Sequence, residues 1–218
     1  MEGTRIVLVR HGESVAQEQG FLGGHTSCRG LSDRGRQQVE RLRDRLQASG
    51  ELSGASVLYA SVLPRAVETG EILAPALGGL DIRPECDFCE GHVGEADGLT
   101  WAQLDELAPR DGWDADHRPV PGWETWREMH ARVQGALESL VQRHPGETVV
   151  VACHGGVVVQ AMVHWLGLDA VEASRRAWLS PANTSLTEWR FGPNPYEKGT
   201  LPVELVRFND HAHLTGGP

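Results

Sequence analysis

The chain has 218 residues, a formal net charge of −10 and 40% hydrophobic residues, which is the composition of an ordinary globular protein. Its length suits a single domain over residues 1–218 with a sizeable hydrophobic core. Thirty acidic residues against twenty Lys and Arg disfavour nucleic acid or an anionic membrane as a partner.

Strands alternate with helices along the chain. Continuous apolar runs predict buried strands, and apolar residues at a 3.6-residue spacing predict helices. The predicted strands are residues 5–9, 56–59, 80–83, 148–153, 185–191 and 203–208. The predicted helices are residues 32–48 with Ser32 as cap, 64–77, 100–107, 123–144 and 156–166. The segment 84–121 is rich in Gly and Asp and predicts a loop that the helix 100–107 interrupts.

This alternation predicts an α/β fold. Right-handed crossovers give a three-layer sandwich in which a mostly parallel central sheet is flanked by helices. The last two strands, joined by the turn at 192–195, are expected to be antiparallel. In such a sheet, ligands bind beyond the carboxyl ends of the strands.

Two predicted strands end in the same way, with a histidine and a glycine. His11 follows the first apolar run and His154 follows the run 149–153. A third strand ends shortly before Arg65, which lies in the first turn of a helix. Because parallel strands end at one edge of a sheet, we expect His11, His154, Arg10 and Arg65 to lie together.

These four side chains favour phosphate chemistry. The guanidinium group is a planar fork that matches phosphate oxygens, and helix N-termini add backbone N–H donors. A neutral imidazole can attack phosphorus, and surrounding cations keep it from gaining a proton. One histidine after a strand usually only packs against its neighbours. Two histidines with two arginines at three strand ends instead predict an active site.

Four motifs in this order resemble the histidine phosphatase (phosphoglycerate mutase-like) superfamily, branch 1 type. The motifs are Arg10–Ser14, Gly30–Gly35, Ala60–Thr69 and Ala152–Gly156. The resemblance implies that His11 becomes a phosphohistidine and that Arg10, Arg65 and His154 bind the phosphoryl group. It also implies catalysis without a metal or other cofactor.

The resemblance further implies a general acid at Glu90. The family has a carboxylate in a Glu-x-x-x-Gly-x-x-acid-Gly loop, which reads Glu90 to Gly98 here. Glu90 would protonate the leaving oxygen and later activate water. Without the family pattern, Glu95 and Asp97 would be equal candidates.

The substrate pocket departs from the family at two points. Gln17 stands where relatives often have Asn, and residues 121–125 read Pro-Gly-Trp-Glu-Thr instead of Pro-Gly-Gly-Glu-Ser. The segment 21–29, Trp101 and Trp113 either shape the leaving-group pocket or pack as ordinary loop. The predicted substrate-binding residues are Ser14, Gln17, Phe21, Gly24, Trp101 and Gly155.

A second cluster has the spacing of metal ligands. Cys86, Cys89 and His92 are each three residues apart, and His25 and Cys28 repeat that spacing. Such a set could build a zinc site. One Cys-x-x-Cys pair in a chain with ten histidines also arises by chance, so we predict no metal and leave the cluster open.

The sequence predicts a cytoplasmic location. Its apolar runs are too short to span a membrane, and its first residues lack the pattern of a signal peptide. Four cysteines are too few for a disulfide framework in a chain of this length.

We expect a hydrolase that acts on a small-molecule phosphate ester, with a homodimer left open. The alternatives are a phosphoglycerate mutase-type transferase and a catalytically silent binding module. No Lys or Arg lies between Cys86 and Glu106, and none follows Phe208. An uncharged pocket mouth should admit water to the phosphohistidine, which favours hydrolysis.

Overall fold

Six strands form one sheet at the centre of the computed structural model, which describes residues 3–109, 114–192 and 203–215. The strands are β1 (Thr4–Arg10), β2 (Ala55–Ala60), β3 (Ile82–Pro84), β4 (Thr148–Cys153), β5 (Leu186–Phe191) and β6 (Val203–Asp210). Their order is β3-β2-β4-β1-β5-β6. Strands β1 to β4 pair in parallel, whereas β5 pairs antiparallel with both β1 and β6. The predicted mostly parallel sheet is confirmed.

Helices cover both faces of the sheet. They are α1 (Val15–Gln19), α2 (Asp33–Ser49), α3 (Pro64–Leu73), α4 (Trp101–Leu107), α5 (Trp126–Arg143), α6 (Gly155–Trp165), α7 (Ala170–Arg176) and α8 (Ala212–Thr215). All five predicted helices are present. The short helices α1, α7 and α8 were not predicted, because each is too brief to show a helical period.

Two helix boundaries differ from the prediction for local reasons. Helix α5 begins at Trp126 and not at residue 123, because the Thr125 side chain accepts the Glu128 N–H and caps it. The α-helix that starts at Pro64 ends at Leu73 and continues as a 3₁₀ turn over Ala74–Leu77. Pro75 lacks the N–H that a further α-helical bond would need.

The core has two layers, one on each side of the sheet. Side chains alternate along β1, so Ile6 and Leu8 pack against α5 and α6, whereas Val7 and Val9 pack against α2 and α3. All four are fully buried. This arrangement is the predicted three-layer sandwich.

Neighbouring strands end at one edge of the sheet. The His11 N–H donates to the Cys153 carbonyl at 2.9 Å, and the Ser61 N–H donates to the Ala152 carbonyl at 3.0 Å. The residues that follow β1, β2 and β4 are thereby held side by side. The N-terminus of α2 packs against the same edge. Gly35 lies there so close to the Glu13 backbone that any side chain at position 35 would collide with it.

Some predictions fall outside the described residues. They are Trp113 and most of the turn at 192–195, which continues into residues that the structure does not describe. Within the described ranges, no helix combines the length and apolar character that a membrane crossing would require.

Candidate active site

His11 is buried directly beyond β1, and its hydrogen bonds define its tautomer. Its Nδ1 lies 2.6 Å from the Gly12 carbonyl oxygen, which can only accept, so Nδ1 carries the proton. The other nitrogen, Nε2, therefore carries a lone pair and no proton. That lone pair accepts the Arg65 Nε–H at 3.2 Å. Nε2 is thus the unprotonated nitrogen of this imidazole.

Arg65 reaches His11 from the second residue of α3. Pro64 at the first helical position fixes the entry of this helix. The Arg65 Nη1 group donates to the Gly23 carbonyl at 2.7 Å and to the Cys28 sulfur at 3.3 Å. These bonds hold a buried guanidinium beside the unprotonated nitrogen of His11.

Arg10 is the last residue of β1 and brings the second cation. One of its terminal nitrogens donates to the Pro181 carbonyl. Its Nε–H is buried and has no hydrogen-bond partner among the described residues. A buried charged donor without an acceptor is costly, which favours an anion at this position.

His154 lies against His11 at the start of α6. The ring centroids of the two imidazoles are 5.0 Å apart in an edge-on arrangement. Its Nε2 lies 2.8 Å from the Ser61 hydroxyl. Its Nδ1 is buried and finds no partner in the part of the chain that the structure describes. If Ser61 donates to Nε2, Nδ1 carries the proton and is a second free donor beside His11.

Burial and positive charge keep both imidazoles neutral. The pKa of His11 lies well below its ordinary value, first because of burial and then because of Arg65 and Arg10. The pKa of His154 is lowered well below its ordinary value by burial, then by Arg65, His11 and Arg10. Burial also lowers the pKa of Arg10, but a guanidinium remains charged at physiological pH.

A cavity of about 800 Å³ opens beside these groups. Its lining includes Arg10, His11, Arg65 and Glu90, together with the predicted substrate residues Ser14, Gln17, Phe21, Gly24 and Trp101. Gly155 is not part of this lining. It lies behind Arg10, where an added Cβ would be 3.4 Å from the Arg10 Nε.

Glu90 faces the cavity from the loop before α4. Its Oε2 accepts the Gly156 N–H at 3.1 Å, which ties the carboxylate to the N-terminus of α6. Any side chain at Gly156 would collide with this carboxylate. Because Glu90 and Arg10 line the same cavity, a carboxyl group and a guanidinium cation are available to one ligand.

The other two acids of this loop are placed differently. Asp97 accepts hydrogen bonds from Gly24, Thr26 and Ser27, including backbone N–H bonds of 2.9 Å and 2.8 Å from the first two. These bonds lower the pKa of Asp97 to about 2 although burial opposes them. Glu95 is exposed and does not line the cavity. Asp97 also lines the cavity, but its carboxylate is occupied by these loop donors, so Glu90 is the better placed of the two to act on a ligand.

Gln17 presents a free amide donor to the cavity. Its Oε1 accepts the Ser14 N–H at 3.1 Å in a capping box and the Asn183 Nδ2–H at 3.2 Å. Its Nε2 group makes no hydrogen bond across the described ranges, so it can donate to a ligand oxygen. Ser14 is buried and occupied by this cap.

Sequence reasoning missed the residues that support the two histidines. Ser61 was given no role, although it follows β2 at the same edge as His11 and His154. Thr184 has a left-handed backbone with φ of 58°, and its N–H donates to the Arg10 carbonyl at 2.9 Å. Asn183 donates to the His11 carbonyl at 3.0 Å. The position of Ser61 was a usable signal, whereas nothing in the sequence marks residues 183 and 184.

The cysteine–histidine cluster is only partly assembled. The ligand atoms of His25, Cys86 and His92 all lie within 4.8 Å of one another. The Cys89 sulfur is 3.6 Å from that of Cys86 but is fully buried. Cys28 instead accepts a hydrogen bond from Arg65.

Comparison with known proteins identifies the family. The sequence model of the histidine phosphatase superfamily (branch 1) matches residues 6–200 of this chain. The chain belongs to this superfamily. The resemblance carried by the four motifs is confirmed.

Individual superfamily members are similar over much of the chain. Phosphoglycerate mutase-like protein 4 of Arabidopsis thaliana is 33% identical over 70% of this chain and 67% of its own length. The metal-independent phosphoserine phosphatase of the same plant is 32% identical over 72% and 66%. The chain thus spans about two thirds of these curated relatives. A mycobacterial glucosyl-3-phosphoglycerate phosphatase solved with VO3 superposes with a TM-score of 0.75 at 26% identity, covering 94% of this chain and 98% of that one.

Proposed function

We propose that this histidine phosphatase superfamily member is a metal-independent phosphomonoesterase with a phosphohistidine intermediate on His11. One observation carries the proposal. A neutral imidazole with its lone pair on Nε2 lies beside the buried Arg65 and the half-buried Arg10, and two buried nitrogens next to it, Arg10 Nε and His154 Nδ1, have no partner among the described residues. This set is complementary to a phosphoryl group, which brings negative oxygens and an electrophilic phosphorus. Two of the similar proteins are named as phosphatases.

In the first step, His11 Nε2 attacks phosphorus. A P–N bond forms while the bond from phosphorus to the leaving oxygen breaks. Arg10, Arg65 and the Nδ1–H of His154 donate to the equatorial oxygens, whose charge they stabilise. Glu90 in its protonated form gives its proton to the leaving oxygen, which departs as an alcohol.

In the second step, water releases the phosphate. The Glu90 carboxylate takes a proton from water, and the water oxygen attacks phosphorus. The P–N bond breaks, and its electron pair returns to Nε2. Inorganic phosphate leaves, and both His11 and Glu90 regain their starting protonation states.

A mutase is the second candidate, because one relative is named phosphoglycerate mutase-like. A mutase must bind an intermediate with two phosphate groups. Among the described residues that line the cavity, Arg10 and Arg65 are the only Lys or Arg side chains. They already serve the transferring phosphoryl group, so a second phosphate lacks a cationic partner. This composition favours hydrolysis over mutase activity.

Product analysis tests the proposed function directly. We expect free phosphate from p-nitrophenyl phosphate, phosphoserine or 3-phosphoglycerate, undiminished by EDTA, with little 2-phosphoglycerate formed. Isomerisation of 3-phosphoglycerate that depends on 2,3-bisphosphoglycerate and outpaces phosphate release would establish a mutase. If the folded protein hydrolysed no ester between pH 5 and 8, the catalytically silent binding module would be favoured instead.

Glu90→Gln is expected to separate substrates by their leaving groups. Glycerol phosphate leaves as a basic alkoxide that needs a proton, whereas p-nitrophenolate barely needs one. Hydrolysis of glycerol phosphate should therefore fall by roughly 10² to 10⁴-fold, and that of p-nitrophenyl phosphate much less. The comparison is of kcat/KM for both esters, with Glu95→Gln as the exposed control. Equal losses on the two esters would remove Glu90 from the role of general acid.

A further inference from the structure

Three metal-ligating side chains from two segments meet at the rim of the cavity. His25 and His92, which line the cavity, have ring centroids 5.0 Å apart. The His25 Nε2 lies 4.0 Å from the Cys86 sulfur, although the two residues are 61 positions apart in the chain. The catalytic mechanism uses none of these groups.

His92 gives an independent indication of a ligand. Its Nε2 is buried and has no hydrogen-bond partner within the described ranges. A neutral imidazole nitrogen of this kind is the commonest metal ligand in proteins. His25 and Cys86 are exposed, which gives an ion a route to the cluster.

Both segments are held in place by other contacts. Arg132 on α5 donates to the Asp87 carbonyl at 2.7 Å and pairs with Glu124, which in turn accepts the His92 N–H at 3.1 Å. On the other side, Asp97 accepts the backbone N–H groups of residues 24 and 26, which flank His25. The ligand set is therefore largely preorganised before any ion binds.

We propose that His25, Cys86 and His92 form a Zn²⁺ site at the mouth of the cavity that opens beside the catalytic groups, and that this site is separate from those groups. One thiolate and two imidazoles are ligands that Zn²⁺ prefers. In a tetrahedral site their atoms would be roughly 3.3 to 3.6 Å apart, so they need to close by only about 1 Å. The fourth position is left for water or a ligand oxygen.

Binding must release a proton from Cys86. The thiolate, not the thiol, is the form of cysteine that ligates a metal. The sulfur–zinc bond therefore forms as the S–H proton passes to solvent. No oxidant is needed, and the cysteines remain reduced.

Cobalt is the probe for this site, because tetrahedral Co²⁺ bound to thiolate absorbs in the near ultraviolet. The reduced full chain is titrated with Co²⁺ and then with Zn²⁺, which should displace it. We expect His25→Ala, Cys86→Ser and His92→Gln each to weaken Zn²⁺ binding by about 100-fold or more. His164 lies on α6 outside the cavity, so His164→Gln is the matched control. It should bind Zn²⁺ as tightly as the parent protein does.

The catalytic imidazoles could also bind metal, so His11→Ala is included. It should retain the sulfur-to-cobalt band, because His11 is not in the proposed ligand set. Absence of that band from the folded, reduced parent, or its persistence in Cys86→Ser, would overturn the proposal. Unchanged affinity in His25→Ala and His92→Gln would do the same. These readouts do not depend on phosphatase activity.

Discussion

His11→Ala is expected to lower kcat for every phosphate ester by about 10⁴-fold or more, because it removes the nucleophile itself. The remaining cations could still bind phosphate, so binding should survive where turnover does not. The measurement is steady-state phosphate release, together with thermal stabilisation by inorganic phosphate. Retention of more than about a tenth of the parent activity would contradict the assignment of His11.

Folding must be controlled in this comparison. His11 is buried, and its removal leaves the Arg65 Nε–H and the Gly12 carbonyl without their present partner. Such losses cost about 1 to 3 kcal/mol of unfolding free energy. His164→Gln changes a histidine whose partner, Glu138 at 3.5 Å, lies outside the cavity. It should keep full activity, and both variants should show a cooperative thermal transition.

Arg65→Ala is expected to lower kcat/KM by roughly 10³-fold, the scale of losing a cation that stabilises phosphoryl transfer. Arg65→Lys should recover little of the kcat/KM that is lost in Arg65→Ala. A single ammonium cannot contact both the imidazole and the Gly23 carbonyl with the spacing of a guanidinium fork. Arg127→Ala removes an exposed partner of Asp116 and is the control, so its kcat/KM should equal that of the parent. Near-parent activity of Arg65→Lys would show that charge alone suffices.

The same variant should shift the pH profile in a defined direction. In the parent, burial, Arg65 and Arg10 hold the pKa of His11 well below its ordinary value, so His11 stays neutral at pH values where a free imidazole would gain a proton. Removing Arg65 takes away a positive charge and admits water, and both changes raise that pKa. Protonation then inactivates the nucleophile at higher pH, so the acid limb of kcat/KM moves upward. An unmoved or lowered acid limb would contradict this electrostatic account, since the ester titrates identically in both proteins.

The sequence was sufficient to predict the groups that lie at strand ends. An apolar run followed by His-Gly marks both the element and the edge at which it stops, so His11 and His154 could be placed together. Arg65 followed from the proline that starts its helix. These predictions depend on short-range patterns combined with one rule of parallel sheets.

The supporting contacts could not be predicted, because they join distant parts of the chain. The Asn183 side-chain amide and the Thr184 backbone N–H donate hydrogen bonds to the carbonyl groups of residues 11 and 10. No residue type is diagnostic of such hydrogen bonds. The family pattern selected Glu90 over Asp97, but only the structure shows that the carboxylate of Asp97 is occupied by loop N–H groups. For the cysteine–histidine cluster, spacing gave five candidates, namely His25, Cys28, Cys86, Cys89 and His92. Only the fold shows that His25, Cys86 and His92 are the three that meet.

The central claim is that phosphate is attached to His11 Nε2 during turnover. Rapid quench with a ³²P-labelled ester, followed by mass spectrometry of the labelled peptide, measures this most directly. We expect an acid-labile, base-stable label on the peptide that contains His11, formed and consumed at the rate of turnover and absent from His11→Ala. Label on another residue, or turnover without any phosphate bound to His11, would contradict the mechanism.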